Sequence, residues 1–243
     1  MMEIPLESSE KAIRAVLFDL YDTLVAVSIK DYLKAKAAMA RRAGINREDF
    51  ISSWKKFTKP SALGNILTVE ERIGLIGADL GKKISPELAQ ELSQIEISLQ
   101  EHRVHKLPGC DFTLNRLKKW GIKIGLVTNT PSTSKNVLSL LGLDAFFDCA
   151  IYSFEVGLLK PDVAIYQLAL AKLDLRAEGT IFVGDGNDLE LDGAKNAGLI
   201  AIKVGKGRPD LIQGIQSRAF DYEVEALPEL LPIIQRLNSS KGS

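Results

Sequence analysis

Four short stretches carry the side chains best suited to chemistry. They are Asp19-Leu20-Tyr21-Asp22-Thr23, then Thr128-Asn129, then Lys160-Pro161 within residues 157–162, and finally Gly184-Asp185-Gly186-Asn187-Asp188-Leu189-Glu190. The carboxylates of Asp19 and Asp185 suit a hard cation such as Mg²⁺, which takes one or two protein carboxylates and completes its shell with phosphate oxygens and water. Lysine, hydroxyl and amide groups suit phosphoryl oxygens, to which they bring positive charge and hydrogen-bond donors. Taken together, the set fits a divalent cation and a phosphoryl group.

Three of these stretches follow short apolar runs. Residues 14–18, 122–127 and 180–183 are too short for helices and read as buried parallel strands, as do 149–152 and 200–204. Residues 132–141, 163–173 and 189–197 read as helices between them. Such alternation builds a parallel sheet covered by helices on both faces, with ligands at the carboxyl ends of the strands. Residues 28–104 differ. Ser28 with Asp31, Asn46 with Asp49, Thr68 with Glu71, and Ser85 with Pro86 open four successive helices. Gly44 closes the first, the second stops before Pro60, and Gly81 ends the third. No strand signal interrupts them. The expected architecture is therefore an α/β, Rossmann-like core from residues 1–27 and 105–243, with an all-helical unit, 28–104, inserted after the first strand.

In that order, the four stretches resemble the four motifs of the haloacid dehalogenase (HAD) superfamily of hydrolases. Asp19 in Phe-Asp-Leu-Tyr-Asp-Thr-Leu resembles the nucleophile motif, Thr128 the second, Lys160 the third, and Asp185 with Glu190 the acidic fourth. Gly193-Ala194-Lys195-Asn196-Ala197-Gly198 continues the fourth motif, and the helical insertion resembles the superfamily's cap. The resemblance implies a Mg²⁺-dependent phosphomonoesterase acting on a small phosphorylated metabolite. Asp19 would form a covalent aspartyl intermediate. Thr128 and Asn129 would hold the transferring group, and Lys160 would offset negative charge. Asp19, Asp185 and the carbonyl of Tyr21 would ligate Mg²⁺, with Glu190 orienting the metal's water from just outside.

Two positions depart from the family's phosphatases. Tyr21 stands where they usually carry an acid–base aspartate, as it does in family members that dehalogenate 2-haloacids. Glu190 stands where aspartate is commoner. Those dehalogenases, however, have a non-acidic fourth motif and an early cap arginine that grips the substrate carboxylate. Here Asp185 is kept, and Arg41, Arg42 and Arg47 lie only near the expected place. A 2-haloacid dehalogenase, and a HAD-fold binding protein with weak turnover, are the alternative readings.

The remaining candidates read as structural. Asp22 is a turn residue, Asp188 a cap for the helix that follows, and His102 and His105 belong to the second crossing between insertion and core. Trp54 and Phe57 form a packed face, and Lys55, Lys56 and Lys59 a solvated one. The 243 residues are 46% hydrophobic and 26% charged, which excludes a disordered or fibrous chain. Lys plus Arg and Asp plus Glu both number 31, so no basic excess marks a nucleic-acid partner. Two cysteines cannot make a disulfide framework or a four-ligand zinc site. No apolar run reaches membrane-spanning length, residues 1–11 show no signal-like core, and the glycines around Lys206 complete no dinucleotide fingerprint. The expectation is a cytoplasmic protein without membrane or nucleic-acid partners.

Overall fold

The computed structural model describes residues 13–205 and 215–239. The N-terminal stretch and Lys206-Gly207 read above lie outside them. Six strands form one parallel sheet in the order β5-β4-β1-β6-β7-β8. They are β1 (Ala15–Phe18), β4 (Lys123–Thr128), β5 (Cys149–Tyr152), β6 (Thr180–Gly184), β7 (Ile200–Val204) and β8 (Tyr222–Val224). β1 is buried along its whole length. Val16 and Phe18 join one apolar cluster with Leu114 and Ile234, and Ala15 and Leu17 join another with Ile165 and Leu191. A strand covered on both faces needs apolar residues at every position, which is why residues 14–18 carry no alternation. The covering helices are α6 (Cys110–Lys119), α7 (Val137–Leu140), α8 (Ser153–Val156), α9 (Val163–Leu173), α10 (Glu190–Asn196) and α11 (Leu230–Ser239).

The insertion leaves and rejoins the sheet through a two-stranded antiparallel ladder, β2 (Val25–Val27) with β3 (Val104–Lys106). Between them run α1 (Ile29–Ala43), α2 (Arg47–Lys56), α3 (Thr58–Ala62), α4 (Val69–Asp79) and α5 (Pro86–Arg103). The caps form as read: Ser28, Asn46, Thr68 and Ser85 each accept a main-chain N–H three residues on, and Gly44 ends α1 in the left-handed region at φ 62°. These helices build an apolar core of their own, with Met39, Phe50, Ile73, Ile76 and Leu92 at its centre. His105 is the exposed residue of β3.

Three local readings are corrected. The helix read at 132–141 is divided into a tight 3₁₀ turn, Ser132–Ser134, and the short α7. The tight turn lets the Ser132 hydroxyl reach the carbonyl of Leu67 in the insertion at 2.5 Å. A fifth helix, α3, contains Pro60 within its first turn, where a missing N–H breaks no helical bond. Asp188 caps nothing: Asp188 and Leu189 both occupy the left-handed region, at φ 52° and 58°, and α10 begins at Glu190 with no side-chain cap. Asp22 is a turn residue with φ 59°.

Candidate active site

β1 lies between β4 and β6, so the chain leaves it first toward one edge of the sheet and later returns on the other side. That reversal opens a crevice at the carboxyl ends of the strands. Asp19 sits on its rim: its N–H donates to the Val183 carbonyl at 2.9 Å, extending the β1–β6 pairing by one residue. Its carboxylate is buried and accepts from the Thr23 hydroxyl at 3.4 Å.

Lys160 links two of the four stretches to each other. Its ammonium donates to Asp19 Oδ1 and to Glu190 Oε2, each at 2.5 Å. Asn129 braces it from β4: Asn129 Oδ1 accepts the Lys160 N–H at 2.8 Å, and Nδ2 donates to the Lys160 carbonyl at 2.9 Å. Thr128, the last residue of β4, is buried beside it. The other oxygen of Glu190 accepts the Gly186 N–H at 3.0 Å, and its carbonyl accepts from Tyr166 at 2.6 Å. Two glycines make this closeness possible. A Cβ at Gly184 would stand 2.0 Å from Glu190 Oε1, and one at Gly193 would stand 2.4 Å from the Pro161 carbonyl. Asp185 accepts from the Asn187 N–H at 3.2 Å and from the Asn187 amide, which Gln216 holds in turn.

The result is a buried acidic centre. Asp19, Asp185 and Glu190 bring carboxylate oxygens within 4.8 Å of one another, and one ammonium pairs with two of them, Asp19 and Glu190. Burial, with Asp19 adding repulsion, pushes the Asp185 carboxyl up to about 7. Burial likewise raises Glu190 well above the usual carboxylate range, against the pull of Lys160. For Lys160, burial favours the neutral amine, but Asp19 and Glu190 together outweigh it and hold the proton on. The donor set fits a hard cation: it is all oxygen, it is dense in negative charge, and a divalent ion would relieve the repulsion. All three carboxylates already accept from protein donors: Asp19 from Lys160 and Thr23, Asp185 from Asn187, and Glu190 from Lys160 and the Gly186 N–H.

Tyr21 faces away from acid–base work. Its hydroxyl donates to Gln100 Oε1 of α5 at 2.6 Å and lies 3.0 Å from the Ser134 hydroxyl, joining insertion to core. Burial holds its proton even more firmly than in a free phenol.

A second buried ionic group lies in the insertion. Lys36 of α1 pairs with Glu96 of α5, and its ammonium sits 3.5 Å from the centre of the Trp54 ring. Arg72 of α4 lies over the same ring at 4.0 Å. Arg72 Nη2 donates to the Trp54 carbonyl and, at 2.8 Å, to the Thr58 hydroxyl, whereas its buried Nε has no partner. Trp54, Arg72 and Glu96 line a small cleft together with Pro131, Ser132 and Thr133, which follow just beyond Thr128-Asn129. Sequence reasoning singled out neither Lys36, Arg72 and Glu96 nor the bracing residues Thr23, Tyr166, Asn187 and Gln216. A usable signal existed for the first three, since each interrupts an apolar helical stripe. Arg72, for instance, sits between Val69 and Ile76.

A family model described as haloacid dehalogenase-like hydrolase matches residues 13–198. Among curated relatives, a glyceraldehyde 3-phosphate phosphatase of Methanocaldococcus jannaschii is 29% identical over 233 residues, covering 93% of this chain and 98% of that protein. The pyrophosphatase PpaX of Bacillus mycoides is 38% identical over 130 residues, 52% of this chain and 58% of that one. Among solved structures, a 2-haloacid dehalogenase of Pseudomonas syringae pv. Tomato matches with a TM-score of 0.70 at 25% identity, over 92% of this chain and 99% of its own. A HAD phosphatase of Thermococcus onnurineus matches in fold with a TM-score of 0.62 at 23% identity, over 91% of this chain and 97% of its own. No described helix is long and apolar enough to cross a membrane. This chain belongs to the haloacid dehalogenase-like hydrolases.

Proposed function

We propose that this hydrolase is a Mg²⁺-dependent phosphatase that cleaves the phosphomonoester of a small cytoplasmic metabolite, with residues 28–104 as a cap over a core of 1–27 and 105–243. One observation carries the reading: three buried carboxyl groups cluster at the carboxyl edge of the sheet, and a single ammonium pairs with two of them. A divalent cation held there would offset the negative charge that an incoming phosphate dianion adds. The relatives named as phosphatases agree with it. The free thiols of Cys110 and Cys149 suit the reducing cytoplasm.

In this reading Asp19, Asp185 and the Tyr21 carbonyl would hold Mg²⁺, which would supply positive charge to the phosphoryl oxygens and the nucleophile. Asp19 attacks phosphorus, the P–O bond to the substrate alcohol breaks, and an aspartyl phosphate forms. Water then attacks phosphorus, releasing phosphate and restoring Asp19. Lys160, kept protonated by its two carboxylates, orients Asp19 and meets the phosphoryl oxygens. The Thr128 hydroxyl offers them a further donor. Asn129 acts chiefly by bracing Lys160, with its remaining amide proton free to serve the substrate. Glu190 fixes Lys160 and the Gly186 turn. Tyr21 ties cap to core, which leaves the leaving alcohol to take its proton from solvent.

The test is release of inorganic phosphate from a panel of metabolite phosphates, with Mg²⁺ and with excess chelator, beside halide release from 2-chloropropionate. Phosphate release that depends on Mg²⁺ supports the reading. Halide release that survives the chelator would replace it with the dehalogenase reading. Tight phosphate binding without turnover would make the chain a binding protein.

A further inference from the structure

We infer that the Arg72 guanidinium in the cap cleft selects substrates that carry a second anionic group, a carboxylate or a second phosphoryl, in addition to the phosphate that is cleaved. The inference rests on the phosphatase reading and names its substrate class.

The cleft has a charge to balance. Lys36 is fully buried, and Arg72 and Glu96 are each 6% exposed, so two cations share one carboxylate away from water. Such an imbalance is costly in a protein interior, and an incoming anion relieves it. Burial lowers the Lys36 ammonium to about 8, which leaves it mostly protonated at neutral pH. Arg72 is lowered only to about 10 and stays protonated at neutral pH.

Arg72 is also fixed and incompletely used. The Trp54 ring and the two acceptors on Nη2 fix its plane, while the partnerless Nε belongs to a residue lining the cleft. A guanidinium matches carboxylate and phosphoryl oxygens far better than it matches a neutral hydroxyl. The Ser132 and Thr133 side of the cleft adds hydroxyl-bearing residues.

Adjoining residues link the cleft to the acidic centre. Tyr21, two residues from Asp19, bonds Gln100, which is one turn beyond Glu96 on α5. Residues 131–133, which also line the cleft, begin two residues after Asn129, which braces Lys160. In this inference one end of the substrate meets Asp19 and the other meets Arg72.

The experiment compares kcat/KM, with Mg²⁺ present, for 3-phosphoglycerate, propane-1,3-diol bisphosphate and glycerol 3-phosphate, in wild type and in Arg72→Gln. At least one anionic substrate should exceed glycerol 3-phosphate by tenfold or more in wild type, chiefly through KM, and the better one identifies the second group. In Arg72→Gln that ratio should fall to about one. A wild-type ratio near one, or a ratio unchanged in the folded variant, overturns the inference; the latter would leave Arg72 as a tie between helices. If Arg72→Gln does not fold, Arg72→Lys replaces it, and the wild-type ratio decides if neither folds. Mg²⁺-dependent turnover of p-nitrophenyl phosphate separates the two claims: its presence without anion preference sinks only this inference, and its absence together with inactivity on all three substrates sinks the phosphatase reading as well.

Discussion

The acidic centre and the cap cluster are built alike and charged oppositely. Each buries ionic side chains from distant parts of the chain around one central group. Lys160 holds Asp19 and Glu190 with Asp185 beside them, whereas Glu96 holds Lys36 beside Arg72. The first set has three carboxylates to one cation, and the second has two cations to one carboxylate. Neither is neutral by itself, and buried charge without compensation is unfavourable. The contrast agrees with the two proposed ligands: a metal cation beside Asp19, and an anionic group beside Arg72. A phosphate ester with a second negative end, arriving with Mg²⁺, would supply both.

The comparison breaks first at Glu96. Glu96→Gln leaves Lys36 and Arg72 buried with no counter-charge, and removal of one partner from a buried pair costs about 3–5 kcal/mol. Urea denaturation at pH 7 should show a loss of that size, and a loss below about 1 kcal/mol would mean the two cations are effectively solvated. Lys36→Met should cost less, since Arg72 still faces Glu96.

In the acidic centre the same kind of change should have the opposite sign. Asp185→Asn removes one of three mutually repelling carboxylates while an amide can keep its place beside Asn187. Metal-free protein should gain about 1–2 kcal/mol, as when a functional strain is relaxed, while Mg²⁺ should no longer raise the melting temperature. A destabilised variant would show that Asp185 is not under repulsion.

Lys36 sharpens the contrast through pH. Its folded value near 8 lies below the ordinary 10.5, so between those limits the unfolded chain binds more protons and stability rises with pH. The penalty is complete below about pH 8 and absent above about 10.5. Relative to Lys36→Met, wild type should gain about 1 kcal/mol between pH 8 and pH 9. A flat difference would mean that Glu96 holds Lys36 charged throughout.

Tyr21, at the seam between the regions, should matter least. Tyr21→Phe removes hydrogen bonds to Gln100 and Ser134 at a cost of about 1 kcal/mol. Alkyl phosphate turnover should fall by less than about tenfold, because a positioned general acid is worth about 10²–10⁴-fold and this phenol is directed at Gln100. A fall of a hundredfold would give Tyr21 a part in proton transfer.

Much of this was legible in the sequence, and the boundary between legible and hidden follows physical range. Ser28, Asn46, Thr68 and Ser85 announce their helices because capping is settled within three residues. Asp19, Thr128, Lys160 and Asp185 are visible because the sheet collects its strand ends at one edge. The ladder of β2 with β3 was not visible, since three residues are too few to show alternation. Asp188 has the look of an N-cap, but the turn that carries Glu190 back to Lys160 puts Asp188 in the left-handed region instead. Lys36 and Glu96 are 60 residues apart, so only the packing of α1 on α5 reveals them as a pair.

The central claim is that Asp19, on the rim of the crevice and gripped by Lys160, is the group that attacks phosphorus. Phosphate release from a metabolite phosphate at saturating Mg²⁺ tests it, with wild type and Asp19→Asn compared at equal folded fraction. Loss of a nucleophile from an interdependent site should lower kcat by about 10³-fold or more, with the variant still folded, since an amide nearly matches the carboxylate in shape. A folded variant that retains a tenth of the wild-type rate would contradict the claim.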